Sequence, residues 1–333
     1  MKDIQNYSLL AHNTFGIDAK CLRFLEYSNE AEAIEVARIV RESSLPFIII
    51  GGGSNLLLTH DFQGIVVHSA CKGIRRVGNT LLCGSGEVFD DVVAESLRQG
   101  LYGAENLSLI PGDVGASALQ NIGAYGAEAK DLIRSIRAVE IATGNLCVIE
   151  NAECEYGYRQ SRFKQDWKNQ YLIVSVEYVF SDTFVPRLDY GNIRNELERQ
   201  GIVHPTALQV RETVIDIRRA KLPDPEVMGN AGSFFMNPVV DREKFEQLQA
   251  LYPQMPHYYI DERHEKIPAG WMIEQCGWKG RSLGRAGVHD KQALVLVNLG
   301  GATGDEILTL CNTVRKDVKT KFGIDIHPEV NVV

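Results

Sequence analysis

The stretch Ile48-Ile-Ile-Gly-Gly-Gly-Ser-Asn-Leu-Leu-Leu58 decides the fold. It follows Pro46 and opens as a short apolar strand, "FIII", that runs straight into three glycines. Glycines tolerate positive φ and let backbone approach closely, so successive N–H groups in such a loop can converge on a phosphate. Two familiar phosphate loops do not fit. No Gly-Lys-Ser/Thr follows, so this is not a P-loop. The spacing is not G-x-G-x-x-G, and only a few apolar residues and a turn come next, so it is not a dinucleotide fingerprint of the doubly wound kind.

Upstream, residues 31–41 predict an amphipathic helix with Ile34, Ala37 and Val40 on one face and Asn29 or Ser28 as its cap. Downstream, "GIVVHSA" predicts another strand after a turn at Asp61 to Gly64. The opening unit therefore reads strand, helix, strand, Gly-rich loop, strand. From about residue 72 the pattern becomes α+β. "GIRRVGNTLLCGSG" predicts a hairpin, and Phe89, Val92, Val93, Ser96 and Leu97 a helix. Residues 108–126 read as a long loop-and-turn segment. "IRSIRAVEIATGNLCVIE" predicts a second hairpin turning at Thr143-Gly144-Asn145, and "YLIVSVEYVF" a further strand.

The Pro/Gly-rich run "KLPDPEVMGNAG" from Lys221 marks a domain break. Beyond it, 243–251 and 269–276 predict helices, and "KQALVLVN" a strand. Thr303-Gly-Asp-Glu306 is a capping box opening a helix through Ile307, Cys311, Val314 and Val318.

Composition narrows the function classes. The 333 residues carry a net charge of -8, with 44% apolar and 23% charged residues. That is an ordinary globular balance and excludes a general nucleic-acid binder. No run approaches the length of a membrane helix, and the N-terminus lacks a secretory pattern, so a cytoplasmic protein is expected. The cysteines (Cys21, Cys71, Cys83, Cys147, Cys154, Cys276, Cys311) are scattered, without a C-x-x-C pair. Plain thiols are expected, with no metal site.

A second glycine segment, "IPGDVGAS" at Ile110–Ser117 with "QNIGAYG" at Gln120–Gly126, spaces glycines among small and polar residues. Two neutral glycine loops suit a large cofactor held by backbone groups, and a flavin dinucleotide fits that description. Arg159 and Arg162 lie amid aromatics in "YGYRQSRFK". Either could grip a carboxylate, or merely stack at the surface. Arg218, Arg219 and Lys221 cluster before the break, suited to a diphosphate or to solvent alike. Ser233 sits in "GNAGSFFMNP". Its surroundings, A-G-S-F-F, lack the G-x-S-x-G elbow of a hydrolase nucleophile.

In order along the chain, "GGGSNLL", "IPGDVGAS" with "QNIGAYG", "YGYRQSRFK", "KLPDP", "GNAGSFFMNP" and "HPEV" together resemble the UDP-N-acetylenolpyruvoylglucosamine reductases, over nearly the whole chain. The first two alone would also fit the wider vanillyl-alcohol-oxidase-type flavin proteins. The resemblance implies an α+β fold: a two-lobed FAD domain of the vanillyl-alcohol-oxidase/PCMH type, then an α+β substrate domain. It implies lobe 1 at residues 1–70, with 326–333 returning to it, lobe 2 at 71–220 and the substrate domain at 221–325.

It also implies a reaction of peptidoglycan precursor synthesis. NADPH reduces non-covalently bound FAD, and the reduced flavin gives hydride to C3 of UDP-N-acetylglucosamine enolpyruvate, forming UDP-N-acetylmuramate. By matching, Ser233 is the proton donor to C2. Arg159 and Glu329 belong to the group stabilising the developing enolate, with Glu329 acting through its protonation state or by orienting neighbours.

The cofactor set carried over is Gly51, Gly52, Gly53, Ser54, Asn55 and Leu56; Pro111, Gly112, Gly115, Ala116, Ser117, Gln120 and Asn121; Gly123, Ala124, Tyr125 and Gly126; and Arg218. The substrate set is Lys221, Asn237, Tyr258, Lys279 and Gln292, with Tyr190 of "LDYGNIR" as the covering-loop tyrosine of the type I branch. Relatives commonly carry arginine where this chain has Asn331, and Arg281 or Arg285 is the expected substitute. Rival expectations are an FAD-dependent alcohol oxidase or dehydrogenase, and a sugar-nucleotide-binding module without catalysis. No protein partner, nucleic acid or membrane is implied.

Overall fold

The computed structural model describes residues Met1–Val333. The chain forms two compact units. The first comprises Met1–Tyr7, Cys21–Gly52 and Phe62–Ala220, the second Ser8–Lys20, Gly53–Asp61 and Lys221–Val333.

The first unit opens with a four-stranded sheet in the order Lys2–Ser8, Lys20–Tyr27, Phe62–Ser69, Phe47–Ile50. Phe62–Ser69 runs parallel to both of its neighbours. Parallel strands need a crossover, which the helix Glu30–Glu42 supplies. Asn29 Oδ1 caps that helix by accepting the Glu32 N–H at 3.0 Å. Its buried residues are Ala33, Val36, Ala37 and Val40, one stripe at helical spacing. Ile34, expected on that face, is solvent-exposed instead. The stripe is set by the smaller alanines, which let the helix sit close to the sheet.

A second, antiparallel sheet follows in the order Leu146–Glu150, Ile133–Glu140, Tyr171–Val179, Thr80–Gly84, Ile74–Val77. It is covered on both sides. Leu81, Ile136, Val176 and Tyr178 pack with Phe89, Val92 and Val93 of the helix Phe89–Arg98 and with Val114 and Ala118. Val139, Leu172 and Val174 pack instead with the buried stripe of the first helix.

Four stretches differ from, or are missing in, the sequence expectations. Val114–Gln120, read as loop, is a short helix held by the burial of Val114 and Ala118. Ile193–Arg199 and Ala207–Lys221 are helices that share a small core of Ile193, Leu197, Val210, Val214 and Ile217. In "KQALVLVN" only Val295–Asn298 is strand. The residues before it turn, with the Val295 N–H donating to the Gln292 carbonyl at 3.0 Å.

In the second unit the sheet order is Asn230–Ser233, Val295–Asn298, Ala286–Val288, Ser282–Leu283. The helix Gly304–Phe322 packs on this sheet through Ile307, Leu310, Cys311, Val314 and Val318. Its capping box is complete: Thr303 Oγ1 accepts from the Glu306 N–H, and Glu306 Oε2 accepts from the Thr303 N–H at 2.8 Å. A small sheet of Val239–Asp241, His264–Lys266 and Tyr258–Asp261 lies beside the helix Arg242–Leu251.

Two early segments are strapped into this unit. Thr14 Oγ1 donates to the Asn230 carbonyl at 2.6 Å, and the Asn230 N–H to the Thr14 carbonyl at 2.9 Å. Leu56–Leu57 pairs in parallel with the C-terminal Asn331–Val332. Gly53 makes the entry possible: its φ is +68°, and a Cβ there would lie 2.0 Å from the His12 carbonyl oxygen.

Candidate flavin and substrate sites

In the first unit the two glycine loops touch. A Cβ on Gly51 would stand 3.3 Å from Ala116 Cβ, and one on Gly52 would stand 3.2 Å from Asp113 Oδ1. Side chains at either place would push the loops apart.

The second loop is braced from behind. Leu109 adopts φ +57°. Its N–H donates to Asp90 Oδ1 at 2.6 Å, and its carbonyl accepts from Arg218 Nε at 3.2 Å. Asp90 in turn holds Arg211 in a two-pronged pair at 2.6 and 2.9 Å. Arg211 and Arg218 both come from the helix Ala207–Lys221, which therefore positions the loop. Neither Asp90 nor Arg211 stands in a motif, so sequence reasoning missed them.

The short helix ends at Asn121, φ +47°. Asn121 Nδ2 donates to the Gly157 carbonyl at 2.7 Å, and Gly157 and Gln160 exchange backbone hydrogen bonds around Arg159, φ +56°. Tyr125, φ +49°, accepts at its carbonyl from Asn106 Nδ2 at 2.7 Å. Left-handed conformations cost non-glycine residues energy and gather at functional sites. Here Leu109, Asn121, Tyr125 and Arg159 all lie on the candidate cradle.

Tyr190 joins them. A Cβ on Gly126 would meet Tyr190 Cβ at 3.3 Å, so Tyr190 rests on the "GAYG" turn. Ser117 points elsewhere: it is buried, with its hydroxyl 2.5 Å from that of Tyr178 in the core. Arg162 is a surface residue paired with Asp166, its guanidinium 4.0 Å over the Trp167 ring.

The charge balance bears on whether a dinucleotide fits. Burial above all, together with the nearby Arg159 charge, pulls the Arg218 guanidinium below its ordinary pKa, and the Tyr125 phenol beside it opposes the shift. Asp90, the carboxylate within reach, is already committed to Arg211. A half-buried guanidinium is stabilised when an anion reaches it. A diphosphate between glycine loops supplies that anion, so the residues present fit a flavin dinucleotide.

In the second unit the structure brings Ser233 and Glu329 together. The Glu329 N–H donates to the Phe234 carbonyl at 2.8 Å, and Met236 N–H to the His327 carbonyl at 2.9 Å. Asn55 Nδ2 reaches the Glu329 carbonyl at 3.5 Å. Ser233 is exposed at the end of its strand, while Phe234 and Phe235 are buried. Gly232 adopts φ +67°, and nothing lies within 4 Å of a Cβ there, so the backbone beside Ser233 is open.

The other expected substrate residues make local contacts. Asn237 Oδ1 accepts from the Ala269 N–H at 2.9 Å. Lys279 Nζ lies 3.0 Å from Glu274, and Gln292 Oε1 accepts from the Leu294 N–H at 3.3 Å. Tyr258 is exposed on an edge strand, with Lys266 Nζ 5.5 Å over its ring. Lys221 is exposed at the end of its helix. Asn331 Nδ2 donates to the Asn55 carbonyl at 3.1 Å. Arg285 is engaged by Glu306 at 2.8 Å, and Arg281 stacks on Trp278.

Comparison with known proteins gives the family of the chain. The family model for the C-terminal domain of UDP-N-acetylenolpyruvoylglucosamine reductase matches residues 224–333, and an FAD binding domain model matches 22–150. A UDP-N-acetylenolpyruvoylglucosamine reductase of Bacteroides fragilis (strain YCH46) is 53% identical, covering 99% of this chain and 99% of its own. One from Burkholderia multivorans is 45% identical, covering 98% and 95%. The crystal structure of the Thermus caldophilus enzyme aligns with a TM-score of 0.68 at 21% identity, over 99% of this chain and 98% of that one, a likeness of fold.

Proposed function

Because this chain belongs to the UDP-N-acetylenolpyruvoylglucosamine reductases, we propose that Arg159, Ser233 and Glu329 carry its catalysis. It is an FAD-dependent oxidoreductase that uses NADPH to reduce UDP-N-acetylglucosamine enolpyruvate to UDP-N-acetylmuramate, for peptidoglycan synthesis. Gly51–Leu56, Pro111–Gly126 and Arg218 would hold the flavin, which when bound would supply hydride transfer between NADPH and C3 of the enolpyruvyl group. Everything else falls to the protein.

Charge left at C2 spreads into the substrate carboxylate as an enolate, and Arg159 is the preorganised cation that stabilises it. Ser233 donates its hydroxyl proton to C2. A serine is a weak acid, but a carbanion-like centre is a strong base. Glu329 holds its place beside Ser233 through the backbone bond to Phe234, which is the observation that carries this reading.

We assign Gly51–Leu56, Pro111–Gly126 and Arg218 to the cofactor. Tyr190, Lys221, Asn237, Tyr258, Lys279 and Gln292 are assigned to the nucleotide sugar, with Tyr190 marking the type I branch. Residues 1–70 and 71–220 form the flavin lobes in this reading, and 221–325 the substrate part. No helix is long and apolar enough to cross a membrane; a cytoplasmic location belongs to the proposal.

The test is spectroscopic. The purified protein should be yellow, bleach with NADPH and recover its colour with the enolpyruvyl substrate. Protein that cannot be reconstituted with FAD would overturn the reading. Oxygen uptake with a simple alcohol, without response to the nucleotide sugar, would favour the oxidase alternative.

A further inference from the structure

The two glycine loops of the first unit meet at one titratable side chain, Asp113, whose carboxyl has been given no role of its own. Asp113 directs its carboxyl at the first loop: Oδ1 lies 3.2 Å from the Cβ position of Gly52, and Oδ2 3.4 Å from that of Gly51. The Gly52 N–H donates to this carboxyl. The side chain is only 14% exposed.

A file of charged groups stands behind it. His68 Nε2 is 3.9 Å from Asp113 Oδ2, and His68 Nδ1 is 3.1 Å from Glu26 Oε2. Glu26 Oε1 is in turn 2.7 Å from Lys2 Nζ. On the other side, Lys72 is the cation that acts on Asp113, and it lies 3.5 Å from Glu87.

We propose that Asp113, backed by His68, is a charge-responsive positioning residue for the dinucleotide: protonated, it admits the diphosphate; ionised, it opposes it. The proposal rests on the reading of these loops as the flavin cradle.

Glu26 is offset by Lys2, and Lys72 by Glu87, so the variable charge belongs to the Asp113–His68 pair. Burial pushes the Asp113 carboxyl up to about 6 and pulls His68 below its ordinary value. As pH rises the pair loses its protons in turn, passing from net positive through neutral to net negative. Each loss disfavours an anionic ligand. A bound diphosphate raises the Asp113 pKa further. Affinity is therefore full below the free-protein value, falls as pH rises toward the bound value, and then levels.

Flavin-fluorescence titration of the deflavinated full-length protein with FAD tests this from about pH 5.5 to about pH 8.5. Wild-type affinity should weaken by about tenfold over that range, the factor for a one-unit shift. Asp113→Asn, which keeps the shape and loses the charge, should remove the larger part of the pH dependence and bind more tightly than wild type at the alkaline end. His68→Gln should keep the Asp113 step. Asp113→Ser makes the same comparison if the asparagine variant does not fold. An Asp113→Asn protein with the wild-type pH dependence, or a wild type whose affinity ignores pH, overturns the proposal. Wild-type protein that takes up no FAD at any pH overturns the cradle reading, and this inference with it.

Discussion

The Glu329 N–H donates to the Phe234 carbonyl at 2.8 Å, which holds the Glu329 backbone against the residue that follows Ser233. A bridge between Phe235 and Pro328 continues the pairing, and the buried Phe234 and Phe235 rings anchor it. Backbone bonds on a packed segment hold two groups in fixed relation better than a flexible loop would.

Ser233→Ala removes one oxygen and leaves this pairing intact. Flavin reduction by NADPH should stay within about twofold of wild type, while reoxidation by the enolpyruvyl substrate slows by about 100- to 10,000-fold. Stopped-flow absorbance separates the half-reactions. Equal loss in both would remove Ser233 from the role of proton donor.

Arg218→Met separates binding from stability. Arg218 is half-buried, and desolvation pulls its pKa below the ordinary value, so its charge is a burden on the flavin-free protein. The variant should bind FAD at least about tenfold more weakly. Its flavin-free form should unfold at the same or a higher temperature. A flavin-free variant that melts lower than wild type would make Arg218 a structural residue first.

Much of the framework was legible because its signals are local. The Asn29 cap, the turn at Thr143–Asn145 and the Thr303–Glu306 box each lie within a few residues of the element they define. The helix Ala207–Lys221 carried such a signal too. Thr206 and Gln209 form a reciprocal box at the start of the stripe Ala207, Val210, Val214, Ile217, but the cations Arg218, Arg219 and Lys221 at its end are equally the pattern of a solvated charge cluster. Val114–Gln120 had no usable signal, since Gly115 and Ser117 are poor helix formers and tertiary packing decides the matter. The partnership of Thr14 with Asn230 spans 216 residues, and single hydrogen bonds at that distance leave no local trace. The site divides the same way. Ser233, Arg159 and Glu329 stand in recognisable segments, whereas Asp90 and Arg211 act only through a fold that brings them to Leu109.

Tyr156 supplies a stability test. Its phenol oxygen is buried without a hydrogen-bond partner, close to the Cys154 thiol. Burial pushes that thiol up to about 11. Leaving a polar group unsatisfied costs stability, and deleting it recovers the cost. Tyr156→Phe should therefore match wild type or exceed it by about 1 kcal/mol in urea unfolding. A loss of more than about 0.5 kcal/mol would mean that the hydroxyl is bonded in solution.

Glu105 gives a pH dependence of the fold itself. It is 5% exposed, and both carboxyl oxygens lie 3.0 Å from the Gly103 nitrogen. Burial raises its pKa, and the bonds from Gly103 and the Arg187 charge only partly oppose the rise. The folded state therefore holds this proton more tightly than the unfolded chain does. The penalty is absent below the unfolded pKa of about 4.3, grows as pH rises through the folded value, and is constant above it. Glu105→Gln has no proton to lose there. Its melting temperature should exceed that of wild type at about pH 8, and the two should converge near about pH 4. Thermal unfolding of both proteins across that range measures the difference. A gap that stays constant with pH would mean that the folded and unfolded states hold the Glu105 proton equally.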